Sequence, residues 1–216
     1  MHMSTNNART KNGITFMRSR QTVSNSANTI CGIAHQISES AGITYLDDVQ
    51  LSDGLLSGSI KTAAVVACSD MGAWVPFVCS SPNVQLFLFQ NFGHHFDTAG
   101  VVETLVRARI ENVVVYGHSD CEYTKFLAKS EQCLSTDKEE RRRLYEGALQ
   151  SDSEAVWKTV GQYNVLNELK KMLADPVVAP LTASGRLCIH GWFYDATIRQ
   201  LEVFDPEQRA FMVVKK

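Results

Sequence analysis

The chain has 216 residues, 44% of them hydrophobic and 20% charged, and a net charge of −2 at neutral pH. Such a composition excludes a disordered or fibrous chain and suits one soluble globular domain with a substantial core. The near-neutral balance offers no basic surface for nucleic acid or an anionic membrane, and no apolar run approaches the roughly 18 to 20 residues of a membrane span. Six cysteines, at 31, 68, 79, 121, 133 and 188, are irregularly spaced and follow no secretory leader. They point to a cytoplasmic or other reducing compartment, with thiols buried, metal-bound or catalytic rather than disulfide-bonded.

Residues 1–26 are rich in Ser, Thr and Asn, lack helical or strand periodicity, and read as a mobile arm. No acidic residue precedes Glu39. Organelle transit peptides share that feature, but the segment has no clear amphipathic face, so a plain arm is the preferred reading. The opening Met-His-Met is also compatible with a cloning remnant. Residues 1–59 are taken as an N-terminal arm with helices, and 60–216 as the main domain.

From residue 60 onward, apolar runs alternate with helical stretches, an α/β signature. Ala63 to Cys68 and Asn112 to Gly117 (NVVVYG) read as strands buried on both faces, and Gln85 to Phe89 (QLFLF) as a third. Between the last two, AGVVETLVRARI spaces Val101, Leu105 and Ala108 for a crossover helix. The run DKEERRR, 137–143, with Glu139 placed to pair with Arg143, reads as a solvated helical face. Val156, Val160, Tyr163, Leu166, Leu169 and Leu173 predict a helix over about 153–173, ending before Asp175-Pro176. RLCIHGWFYD and RQLEVFD read as strands closing the sheet.

Cys68 ends one buried strand, and GHSDC places His118 and Cys121 just past another. In an open parallel sheet, functional groups gather at the carboxyl ends of strands, so these three side chains are candidates to converge. Two thiolates and one imidazole suit zinc by softness and tetrahedral preference, and three protein ligands leave a fourth position open for chemistry. A strand-end Cys alone reads as a small buried hydrophobe, and a loop His alone as an ordinary hydrogen-bonding residue. The combination carries the signal.

This arrangement resembles the β-class carbonic anhydrases, whose zinc motif is CxDxR followed some fifty residues later by HxxC. Cys68-Ser69-Asp70 and His118-Ser119-Asp120-Cys121 match it, QNFGH (Gln90 to His94) is similar to the family's RNAGN segment, and NVLNELKKMLADPVV and LCIHGWFYDATIRQLEVFD look like its late helix and terminal hairpin. The resemblance runs from about residue 60 to 205. It implies an α/β fold with a mostly parallel central sheet flanked by helices and a C-terminal antiparallel hairpin. It also implies Zn²⁺ held by Cys68, His118 and Cys121, and reversible hydration of carbon dioxide to bicarbonate by zinc-bound hydroxide. Asp70 would be the catalytic carboxylate that orients the hydroxide, in a homodimer or higher even oligomer whose N-terminal segments wrap the neighbour.

The chain departs from the family pattern where Met71-Gly72 replaces the Ser-Arg pair, leaving Asp70 without its motif partner. An unclamped carboxylate beside Zn²⁺ is drawn to the cation and would become a fourth ligand. Arg107, Arg109, Arg186 and Arg199 are the candidates to replace the clamp. Met71, Trp74 and Phe92 would give the pocket apolar walls. Gln90 stands where the family usually has Arg, and Glu122 and Tyr123 stand where it usually has small residues. His94 and His95 read as surface or hydrogen-bonding residues before proton shuttles, His190 as core, and Cys31, Cys79, Cys133 and Cys188 as ordinary thiols. Three functions follow: a carbonic anhydrase, a zinc hydrolase or lyase acting on another small electrophile such as carbon disulfide or carbonyl sulfide, and a non-catalytic zinc-braced descendant with Asp70 on the metal.

Overall fold

A computed structural model describes residues 33–74, 85–97, 100–129, 139–151 and 153–214, apart from the side chains of 72–74 and 139–141. The arm expected over 1–26, the side chain of Trp74, and Cys31, Cys79 and Cys133 lie outside the described residues.

Thr62–Cys68 (β1) is buried at every position. Its small and β-branched side chains suit a strand covered on both faces. Gln85–Asn91 (β2) and Asn112–His118 (β3) flank it in parallel, Val65 facing Leu88 on one side and Val114 on the other. Cys188–Asp195 (β4) runs parallel to β3, and Gln200–Asp205 (β5) and Ala210–Val213 (β6) return antiparallel, giving the order β2-β1-β3-β4-β5-β6. The first five strands fall within two residues of the sequence expectation. β6, four residues with half-exposed and exposed side chains, was not foreseen because it presents neither a buried run nor a full alternation.

Asp48–Ser57 (α1) covers one face, where Leu51 and Leu55 join Ala63, Val65, Val114 and Trp192. It opens on a capping box, Asp47 and Gln50 each accepting the other's backbone N–H. Val101–Arg107 (α2) is the crossover from β2 to β3. With Glu122–Lys129 (α3), Glu139–Ser151 (α4), Glu154–Ala174 (α5) and Val178–Ala183 (α6), it covers the other face, where Leu105, Tyr145, Leu166 and Leu169 meet Ala64, Val66, Val113 and Val115. On α4, Arg142 pairs with Glu146 at 3.0 Å, in keeping with a solvated face; the side chain of Glu139, expected opposite Arg143, lies outside the described residues. No helix among the described residues is long and apolar enough to cross a membrane.

Residues 33–38 are helical and send Ile33, Ala34 and Ile37 into the core of the sheet. Residues 42–46 then run beside β4: the Ile189 N–H donates to the Gly42 carbonyl at 2.7 Å, and Trp192 Nε1–H to the Leu46 carbonyl at 2.6 Å. His190 is 1% exposed, as its core assignment requires. Its Nδ1–H donates to the Thr44 carbonyl at 2.8 Å and its Nε2 meets the Asn112 side-chain amide at 3.0 Å. Burial pushes its pKa down to about 4, opposed by the Thr44 carbonyl.

Candidate metal centre

Because β1 and β3 are parallel neighbours, their last residues, Cys68 and His118, emerge at the same edge. The chain then turns sharply: Asp120 adopts a left-handed φ of 59°, which Asp tolerates better than most residues, and Cys121 comes back towards β1. The turn is tied to the end of β4 by Ser119 N–H to the Tyr194 carbonyl (2.9 Å) and Ala196 N–H to Ser119 Oγ (2.8 Å). Single ligand atoms of Cys68, Asp70, His118 and Cys121 all lie within 4.8 Å of one another.

The donor set fits a tetrahedral metal. Two thiolates on one zinc, each at about 2.3 Å, stand about 3.8 Å apart; the Cys68 and Cys121 sulfurs are 3.8 Å apart and both side chains are buried. His118 Nδ1–H donates to its neighbour's carbonyl, Ser119 O, at 2.7 Å, which commits Nε2 to the cluster. Nε2 meets Asp70 Oδ1 at 2.6 Å, and Asp70 Oδ2 accepts the Glu122 N–H at 2.8 Å. From the end of β2, the Gly93 N–H donates to Cys68 Sγ at 3.2 Å.

The thiol–thiol hydrogen bond draws the Cys121 pKa down against burial, with Thr124 assisting, and pushes Cys68 up to about 11, with burial adding. Burial works against an ionised Asp70, but the Cys68 thiol, the Glu122 N–H and His118 outweigh it, and the carboxyl is held below its usual range. Burial also works against a charged His118, and is outweighed by Cys68 and Asp70, so the imidazole holds its proton more tightly than usual.

Among the described residues, no arginine reaches Asp70. Arg107 pairs with Glu103 at 2.8 Å, and Arg186 Nε donates to Ser184 Oγ at 3.1 Å. Arg109 and Arg186 line a cavity of about 660 Å³ with Asn112 and Cys188, at the opposite ends of the strands. Arg199 stands in the β4–β5 turn without a bond to Asp70. The Glu122 N–H, at the start of α3, is the group that holds the carboxylate's second oxygen. Its part was not legible, because a backbone donor leaves no residue-type signature. The Gly93 N–H on Cys68 escapes a sequence reading for the same reason.

Beside the cluster lies a cavity of about 170 Å³ lined by Asp70, Met71, His118, Ser119, Asp120 and Tyr194. Met71 is 3% exposed, whereas Phe92 is 48% exposed and packs edge-on against Tyr123 instead of walling this cavity. His94 is 2% exposed, so it is not a surface residue; its ring lies beside Cys68, where it favours the thiolate. His95 meets Glu168 at 3.1 Å.

A profile of the carbonic anhydrase family matches residues 63–200. The carbonic anhydrase of Pseudomonas aeruginosa is 27% identical over 183 residues, spanning 76% of this chain and 82% of that protein. Carbonic anhydrase 1 of Escherichia coli O157:H7 is 26% identical over 53% of this chain and 56% of its own length. Among solved structures, the β-carbonic anhydrase CcaA superposes with a TM-score of 0.57 at 21% identity, over 78% of this chain and 84% of that one. A tetrameric β-carbonic anhydrase of the ascomycete Sordaria macrospora gives 0.51 at 16% identity, over 86% and 96%. The chain belongs to the carbonic anhydrase family, in its β class.

Proposed function

We propose that the protein catalyses the reversible hydration of carbon dioxide to bicarbonate at a zinc ion held by Cys68, His118 and Cys121. The convergence of those three groups at tetrahedral spacing, 3.8 Å between the sulfurs, carries this reading. Zinc, when bound, supplies a Lewis acid that lets water ionise near neutral pH. The chain does the rest. The Ser119 carbonyl keeps His118 in the tautomer that presents a lone pair at Nε2. The Gly93 N–H stabilises the Cys68 thiolate. Asp70 accepts a hydrogen bond from the attacking water and orients it, its other oxygen anchored on Glu122. The 170 Å³ cavity, walled by Met71 and Tyr194, admits a small uncharged substrate. A reducing compartment keeps both thiols available.

A second reading has its own support. With no arginine on Asp70 among the described residues, and with Oδ1 2.6 Å from the ligand nitrogen of His118, the carboxylate is placed to take the fourth position and shut the site. Stopped-flow carbon dioxide hydration on zinc-quantified protein separates the two. We expect wild-type turnover that Cys121→Ala abolishes and that Gly72→Arg raises at least tenfold, about 1.4 kcal/mol of barrier. A silent wild type with an active Gly72→Arg variant assigns Asp70 to the metal. Silence in both overturns the hydration reading.

We also propose a homodimer or higher even oligomer. Among the described residues, β2 ends the sheet with Leu88 48% exposed, and Phe92, Tyr123 and the 59%-exposed Phe126 form an aromatic surface next to it.

A further inference from the structure

A second group of ligand atoms lies away from the thiolates. His95 and Asp97, in the loop after β2, and Glu168, in the middle of α5, each place one such atom within 4.8 Å of the others. Glu168 is 3% exposed. Its Oε1 carries two partners, His95 Nδ1 at 3.1 Å and Lys171 Nζ at 2.6 Å, while Oε2 is buried without a partner among the described residues. Burial works against its charge, but His95 and Lys171 outweigh that and hold the carboxyl below the usual glutamate range. A buried acceptor left bare is destabilising, and more so when it belongs to a charged group. Imidazole and ammonium crowd one oxygen; a divalent cation can engage both.

We propose that His95, Asp97 and Glu168 form a second divalent-cation site, distinct from the Cys68–His118–Cys121 centre. One imidazole nitrogen and two carboxylates, without sulfur, suit a harder ion than a thiolate pair selects, Mn²⁺ among them. Exposed Asp97 leaves the outer side to water. The Lys171 ammonium holds the place of the missing positive charge on Glu168; its side chain is 42% exposed and can swing into solvent when an ion enters. His95 binds as the neutral ring through Nδ1, its proton on Nε2. The ion would clip the loop after β2 to α5. That loop also supplies the Gly93 N–H to Cys68 Sγ, so occupancy would steady one wall of the first centre.

The test is Mn²⁺ titration of zinc-loaded protein, with free Mn²⁺ followed by electron paramagnetic resonance. Mn²⁺ is the weakest binder of the divalent series and a poor match for the thiolate centre. About one bound Mn²⁺ per chain is expected, as the single His–Asp–Glu set requires. Asp97→Asn, at an exposed position that the fold tolerates, should weaken binding by roughly tenfold or more, and Lys171→Met, which removes the competing cation, should tighten it by a similar factor. Zinc content should be unchanged in both. Absence of bound Mn²⁺ in the wild type, or binding that neither substitution moves, overturns the site.

Discussion

Asp70 sits 2.6 Å from His118, and no guanidinium reaches it among the described residues. Gly72 stands two residues further on and offers no side chain to hold the carboxylate. That Cys68, His118 and Cys121 would converge was legible residue by residue, from softness and spacing. The groups that tune them were not. Gly93 has φ +98°, and a Cβ there would stand 2.6 Å from the Tyr123 ring and 2.7 Å from His95 Nε2. Gly93→Ala therefore meets both backbone strain and a clash, and should cost about 1–3 kcal/mol of stability. Its N–H would shift away from Cys68, so zinc should be lost to a chelator faster than in the wild type. Urea unfolding and chelator competition measure the two effects. Unchanged zinc release would separate the loop from the metal site.

At the scale of elements, the long helix α5 lies directly against the strands that carry the ligands. A Cβ on Gly117, the residue before His118, would come 2.5 Å from Val165 Cγ2. The absence of a side chain there lets helix and strand approach closely, and it sets the depth at which His118 is presented. The 3.6-residue pattern of α5 predicted the helix but not that approach, since periodicity tells which face is buried and not against what. His190 similarly joins residues far apart in the chain, Thr44 to β4. Its pKa of about 4 means the folded state keeps it neutral, whereas the unfolded chain protonates it near 6.5. Below 6.5 the unfolded state binds the extra proton, so this contribution is complete above that pH and is lost as the pH falls towards 4. Between pH 7 and pH 5 the loss is about 2 kcal/mol. Urea midpoints of wild type and His190→Gln should show that decline in the first and a flatter profile in the second. Parallel profiles would mean His190 is protonated in the folded state.

For the whole molecule, the sheet has a bare edge at β2 among the described residues, beside an aromatic surface made by Phe92, Tyr123 and Phe126. A long half-apolar edge is unusual on an isolated protein. Light scattering coupled to size exclusion should therefore give an even multiple of the 24.0 kDa chain. A monomer at micromolar concentration would leave that edge unexplained and count against the assembly. Buried strands, crossover helices and the convergence of Cys68, His118 and Cys121 could be read from the chain alone, because hydrophobic period and ligand chemistry are local properties of neighbouring residues. Only the tertiary structure decided which groups meet across long separations. The Glu122 N–H and His118 hold the two oxygens of Asp70; Gly93 reaches Cys68 from the loop after β2; and Glu168, set within a helix that periodicity marks as core, faces His95 and Asp97 across 73 and 71 positions of sequence. Backbone donors and through-space electrostatics leave no trace in composition or spacing, and they become visible once the sheet has brought the ends of its strands together.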